Sequence, residues 1–138
     1  MSRTARVVAV SAFASIVACS SPTSPTEGRV EVGVWGAEHL RVDVTPGGGT
    51  TEYDCAHGTI DEPLVADRNG RFSANGTHTF DHGGPIRDGE VPNRHPARYD
   101  GRVTGDTLEL AVTVTDTLQV IGSFTLTRGA ATRLLKCL

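Results

Sequence analysis

From Arg29 onward the chain alternates apolar and polar residues with a period of two, the pattern of strands that bury one face. Val30, Val32 and Val34 share one parity, with Glu31 on the other. Leu40, Val42 and Val44 alternate with Arg41 and Asp43, and Pro46-Gly47-Gly48-Gly49 ends that strand. Thr51 to Gly58 reads as the next strand. Tyr and Cys prefer the interior, so Tyr53, Cys55 and His57 are expected inside, with Glu52 and Asp54 outside. Thr59-Ile60 continue it, Glu62-Pro63 break the pattern, and Asn69-Gly70 is a favoured hairpin turn. Arg71 to His82 reads as one long strand in which Phe72, Ala74, Gly76, His78, Phe80 and His82 share a face.

Gly83 to Pro96 carries Gly83-Gly84-Pro85, Pro92 and His95-Pro96 and sustains no period, which predicts a surface loop. The pattern then returns. Arg98 to Val103 is a strand and Gly105-Asp106 a turn. Leu108, Leu110, Val112 and Val114 form one inner face. After Asp116-Thr117, the residues Leu118, Val120, Gly122, Phe124 and Leu126 form another, and Thr132 to Leu138 closes the chain. About eight short Val- and Thr-rich strands with tight turns predict an all-β antiparallel meander over residues 29–138, either a closed up-and-down barrel or a sandwich.

The first part of the chain follows different rules. Arg3 and Arg6 precede an apolar run from Val7 to Ala18, which is too short to span a bilayer as a helix. Residues 1–18 read as a secretory signal peptide. Ser20 to Gly28 is rich in Ser, Thr and Pro and has nothing apolar to bury, so residues 19–28 read as a disordered tether. The formal net charge is −3, and loss of Arg3 and Arg6 makes the mature chain more negative still. Such a surface gives no electrostatic reason to bind nucleic acid.

Ile16-Val17-Ala18-Cys19 resembles the bacterial lipobox, an aliphatic residue and two small or β-branched residues before Cys. The resemblance implies cleavage before Cys19, a lipid on that residue and a membrane partner through it. The alternative is an ordinary signal peptide with a Cys near its end. Ser20, in place of an Asp, implies the outer membrane where the host has two. The chain would then be exported and held in the bacterial cell envelope. With Cys19 lipidated, Cys55 and Cys137 are left as the pair for one disulfide in an oxidising compartment. That bond requires an early strand beside the chain's end, which is what barrel closure provides.

Lipobox, tether, Tyr53-x-Cys55 and a Cys near the C-terminus together resemble the layout of small envelope β-barrel lipoproteins. MliC-type lysozyme inhibitors share it, including Glu52-Tyr53-Asp54-Cys55, and Tyr99-x-Gly101-x-Val103-x-Gly105 resembles META-domain lipoproteins. Asp54-Cys55-Ala56-His57-Gly58 and His82-Gly83-Gly84-Pro85 resemble segments of bacterial secreted lipoproteins of uncharacterised activity. Gly33-Val34-Trp35 is similar to the Gly-x-Trp that opens lipocalin-like barrels.

Candidate chemistry is sparse. His57, His78 and His82 share inward parity on this reading and form a candidate metal or ligand set for Zn²⁺ or Cu²⁺. His78 and His82, four apart on a strand, are separated by about 13 Å, so His57 would pair with one of them. The alternative is histidines hydrogen-bonded to backbone or acids. Arg87, Arg94, His95 and Arg98 make the 83–98 stretch a candidate binding loop for a carboxylate or phosphate. Asp88 and Glu90 offer those cations partners within the same stretch. No Ser lies in a nucleophile elbow, and Asp61-Glu62 read as solvated acids beside a turn.

The sequence therefore leads to a lipid-anchored, non-enzymatic binding or interaction module with no catalytic residue or cofactor and an unnamed protein or small-molecule partner. A metal-binding barrel and an inhibitor of an envelope-directed hydrolase such as lysozyme are the alternatives.

Overall fold

A computed structural model of the chain describes residues 28–138. The expected signal peptide, Cys19 and most of the tether lie outside the described residues. All regular structure within them is β. The strands are β1 (Gly28–Arg29), β2 (Gly33–Ala37), β3 (Leu40–Thr45), β4 (Gly48–Tyr53), β5 (Ala56–Ile60), β6 (Val65–Ala66), β7 (Arg71–Phe80), β8 (Asn93–Thr104), β9 (Thr107–Val114) and β10 (Gln119–Arg128). Eight of them close an antiparallel barrel in the order β10-β2-β3-β4-β5-β7-β8-β9. The other two, β1 and β6, pair with each other.

Inward side chains fill one continuous core. Leu40, Val42 and Val44 from β3 share this core with Leu108, Leu110 and Val112 from β9, as their alternation predicts. The end where the chain enters is plugged. Val30, Leu64 and Ala66 from the β1–β6 ribbon and its flanks are buried there, and the Val30 N–H donates to the Leu64 carbonyl at 2.9 Å. Fully buried Trp35 donates its indole N–H to the Glu31 carbonyl at 3.0 Å. The opposite end carries the turns between β2 and β3, β4 and β5, and β9 and β10, with the 81–92 loop between β7 and β8.

Five sequence expectations are corrected. Val32 is 57 % exposed and Val34 half-buried, while Trp35 faces the core. Gly33, at φ +133°, interrupts the strand and moves its parity by one residue. Thr51 to Gly58 is not one strand. It turns at Asp54-Cys55 into the β4–β5 hairpin, where Glu52 pairs with His57. The turn resets the alternation, so Ala56, Gly58 and Ile60 face inward while Cys55 and His57 are exposed.

The third correction concerns the predicted loop. β7 stops at Phe80, leaving His82 outside it, and β8 begins at Asn93, so Arg94, His95 and Pro96 are strand residues along with Arg98, which was expected in one. Pro96 is tolerated because its carbonyl accepts from the Thr115 N–H, just past the end of β9. Its nitrogen points to that same side, beyond Ala97↔Val114 where the β8–β9 ladder ends, so only a terminal bond is lost. Fourth, a register shift between Val120 and Gly122 and a positive φ at Leu118 turn Leu118 and Val120 outward. Fifth, Thr132 to Leu138 is not a strand and makes only the parallel bridge Glu38↔Arg133.

The chain turns back after β10, with the Ala130 N–H on the Thr127 carbonyl, and its tail runs to the β4–β5 turn. There Cys55 and Cys137 form the expected disulfide, with Cα atoms 5.2 Å apart. The Leu135 N–H donates to the Asp54 carboxylate at 2.7 Å, and Lys136 donates to the Tyr53 carbonyl at 3.0 Å.

Candidate binding end of the barrel

The chain's five histidines all lie on the end away from the β1–β6 plug. His39 is in the β2–β3 turn, His57 near the start of β5, His78 near the end of β7, His82 just beyond it and His95 near the start of β8. Four sit against carboxylates. His39 Nδ1 lies 2.6 Å from Asp54, His57 Nδ1 2.9 Å from Asp81 and His95 Nδ1 2.7 Å from Asp116, while His82 Nε2 contacts Glu90. These pairs join elements that the sequence holds apart, and they stitch the rim. Nothing local announces them. The partners stand 15, 24, 21 and 8 residues apart respectively.

Both nitrogens of His82 face acceptors, the Gly83 carbonyl and Glu90. Only the imidazolium donates to both, and these contacts raise its pKa, with the Gly83 carbonyl the larger cause. Glu90 also accepts the Arg87 backbone N–H at 3.0 Å, and that bond is the main cause of its lowered pKa. Asp54 is lowered chiefly by the Leu135 N–H from the tail, and Asp116 by His95.

His78 is different. It is 1 % exposed, faces the barrel interior, and its Nδ1 is buried without a partner. Burial and, secondarily, the nearby His57 lower its pKa, which favours the neutral ring. Beside it lies Tyr53, 6 % exposed, whose buried hydroxyl approaches Thr51 and Tyr99. Their ring centroids are 5.0 Å apart in an edge-to-face contact. Burial pushes both Tyr53 and Tyr99 up, away from ionisation.

The row of rings continues from Tyr53 to Phe124 at 5.8 Å, and from His78 through Phe80 at 4.7 Å to His95 at 5.8 Å. It runs across the interior from β10 through β4 and β7 to β8. Small inward residues on β5, Ala56 and Gly58, leave room for it. One layer further in, Tyr99 donates to the Thr77 carbonyl at 2.7 Å and lies 3.4 Å from the Thr51 hydroxyl.

The proposed histidine set is not brought together. His57 points outward, His78 inward, and His82 belongs to the loop. No group of three or more His, Cys, Asp or Glu side chains among the described residues is placed to hold a metal ion. The proposed Arg/His loop also divides. Arg87 is on the 81–92 loop, Arg94 points outward from β8, and Arg98 pairs with Asp100 at 3.1 Å. Half-buried His95 closes the ring row at the mouth. The Tyr53–His78 pair was hidden by the turn at Asp54-Cys55, which sequence reasoning read as strand.

This end also carries most of the exposed large hydrophobic residues. Of the eight large hydrophobics exposed among the described residues, six lie on its loop, turn and tail or at the start of β10: Ile86, Val91, Leu118, Val120, Leu135 and Leu138. Comparison with protein-family models, with curated proteins and with solved structures found no match.

Proposed function

We propose that this chain is a lipid-anchored envelope protein that acts as a non-enzymatic interaction module, and that its contact surface is the histidine end of the barrel. The anchor is Cys19, so the barrel is attached through its plugged end, where Gly28 begins β1. The observation that carries the reading is the grouping of exposed Ile86, Val91, Leu118, Val120, Leu135 and Leu138 at the opposite end. Single exposed apolar residues need no explanation, but several on one end mark an interaction site. The paired histidines and carboxylates form a polar rim around them, the usual anatomy of a contact surface.

Two measurements test this. In a bacterial host, Cys19→Ser abolishes incorporation of labelled fatty acid, and retained label overturns the anchor. Photo-crosslinking residues at positions 86, 91 and 118 give discrete adducts in the envelope, whereas the exposed barrel-wall positions 73 and 109 give none. Equal labelling of both sets removes the contact end from consideration.

A further inference from the structure

We infer that the plugged end of the barrel is a membrane-docking surface, which seats Arg29, Arg102 and their neighbours on the phosphate headgroups of an anionic bilayer. The inference rests on the anchored reading for its orientation and says what the anchored end does. Four exposed arginines, Arg29, Arg68, Arg102 and Arg128, line one cleft there, between the β1–β6 ribbon and the β8–β9 turn. Three acids, Glu31, Asp67 and Asp106, line it with them, although the whole chain has a formal net charge of −3.

Those acids are already engaged. Arg128 lies 2.9 Å from Asp106 and 3.7 Å from Glu31. One Asp67 oxygen accepts the backbone N–H groups of Asn69 at 2.8 Å and Arg71 at 2.9 Å. Arg29 donates to the Pro46 carbonyl at 3.3 Å, and neither it nor Arg102 forms an ion pair among the described residues. Arg102 stands directly opposite Arg71 across the β7–β8 ladder, with Glu109 on its other side. Like charges opposite one another on a sheet are unfavourable, and an anion placed over them relieves the repulsion.

Two apolar side chains complete the surface. Val32 and Val65 are 57 % and 58 % exposed, and they are the two of the eight exposed large hydrophobics that lie away from the histidine end. Val65 is the cross-strand partner of Arg29. An arginine beside an exposed valine suits a bilayer surface, where the apolar group enters the headgroup layer and the guanidinium meets phosphate. The entry of the chain argues for the same occupant. Gly28 begins β1 at this end, and the stretch from Cys19 to Gly28 reaches at most about 30 Å when fully extended. A lipid on Cys19 therefore keeps this end near the headgroups.

The test uses the folded, disulfide-intact protein without residues 1–18 and with Cys19→Ser, so that no lipid contributes. Cosedimentation with phosphatidylglycerol vesicles at low salt should show saturable binding that is lost as salt is raised, and phosphatidylcholine vesicles should bind none. Arg29→Gln combined with Arg102→Gln should weaken binding about tenfold. Arg41→Gln combined with Arg98→Gln makes the same change of charge on the barrel wall and should leave it intact. Absence of binding to the anionic vesicles, equal binding to the neutral ones, or equal loss in the two double variants each overturns the docking surface. NMR shifts at Arg29 and Arg102 with inorganic phosphate, in the absence of vesicle binding, assign the cleft to a soluble anion and overturn it too. If the fatty-acid label on Cys19 fails instead, the anchor falls while this measurement, made without it, still stands.

Discussion

The Tyr99 hydroxyl reaches the Thr77 carbonyl at 2.7 Å through the space that a side chain on Gly58 would occupy. A Cβ at Gly58 would fall on that hydroxyl, on the Thr77 carbonyl and on the Thr51 hydroxyl together. Gly58→Ala is therefore an overpacking substitution against backbone as well as side chains. It is expected to cost about 1–3 kcal/mol in urea unfolding. Tyr99→Phe, which removes only the hydrogen bond, is expected to cost about 1 kcal/mol. A Gly58→Ala variant as stable as the native chain would refute this packing.

The disulfide joins residues 82 apart. Constraint of the unfolded chain by a loop of that size is worth about 4–5 kcal/mol. Replacing both Cys55 and Cys137 by Ala should lower unfolding stability by that order. Thiol titration of the unreduced native protein should find neither residue reactive.

Stability should also depend on His78 with a definite sign. Its folded pKa is lowered, so above the unfolded value of about 6.5 the neutral ring is shared by both states and its contribution is complete. As pH falls below that value, the unfolded chain takes the proton first and stability is lost. Comparing urea midpoints of the native chain and His78→Gln at pH about 7.5 and about 5.5 isolates the effect. The drop should be smaller in the variant, and an equal drop refutes the assignment.

His82 works the other way. Its folded pKa is raised, so its contribution is present below about 6.5 and disappears as pH rises through the folded value. What it holds is the loop, through Gly83 and Glu90. Backbone ¹⁵N relaxation should show residues 83–91 becoming more mobile on alkalinisation, and equally mobile in His82→Ala at either pH. The barrel strands should not change.

How far these features were legible depends on what sets each residue's direction. Leu108 to Val114 could be read directly because its strand is unbroken and buries one face. The turn at Asp54-Cys55 could not, because it contains neither Gly nor Pro. It is held by a distant segment, through the disulfide, the Leu135 N–H on Asp54 and the Cys137 N–H on the Asp54 carbonyl. That missed turn reversed the reading of His57 and Cys55 and hid the meeting of Tyr53 with His78. The barrel still came to eight strands, because splitting Thr51–Gly58 added one and losing Thr132–Leu138 removed one. The disulfide was legible because it followed from which cysteines remained to pair, and no strand direction was needed to find it.

The two-pair closure between β10 and β2 has a kinetic consequence. Every other neighbouring pair in the barrel is joined by a turn or by a single connection such as the 61–70 segment or the 81–92 loop, so each can form from nearby chain. The seam brings the two ends of the domain together through Thr127↔Gly36 and Arg128↔Trp35, with the Gly129 N–H on the Val34 carbonyl and the Glu38↔Arg133 bridge beyond them. Until residues beyond Arg128 are available, the folding chain is an open curved sheet with two bare edges, the form most exposed to mispairing. The Cys55–Cys137 bond then ties the tail that follows β10 to the β4–β5 turn, and so acts as a latch against reopening of the seam.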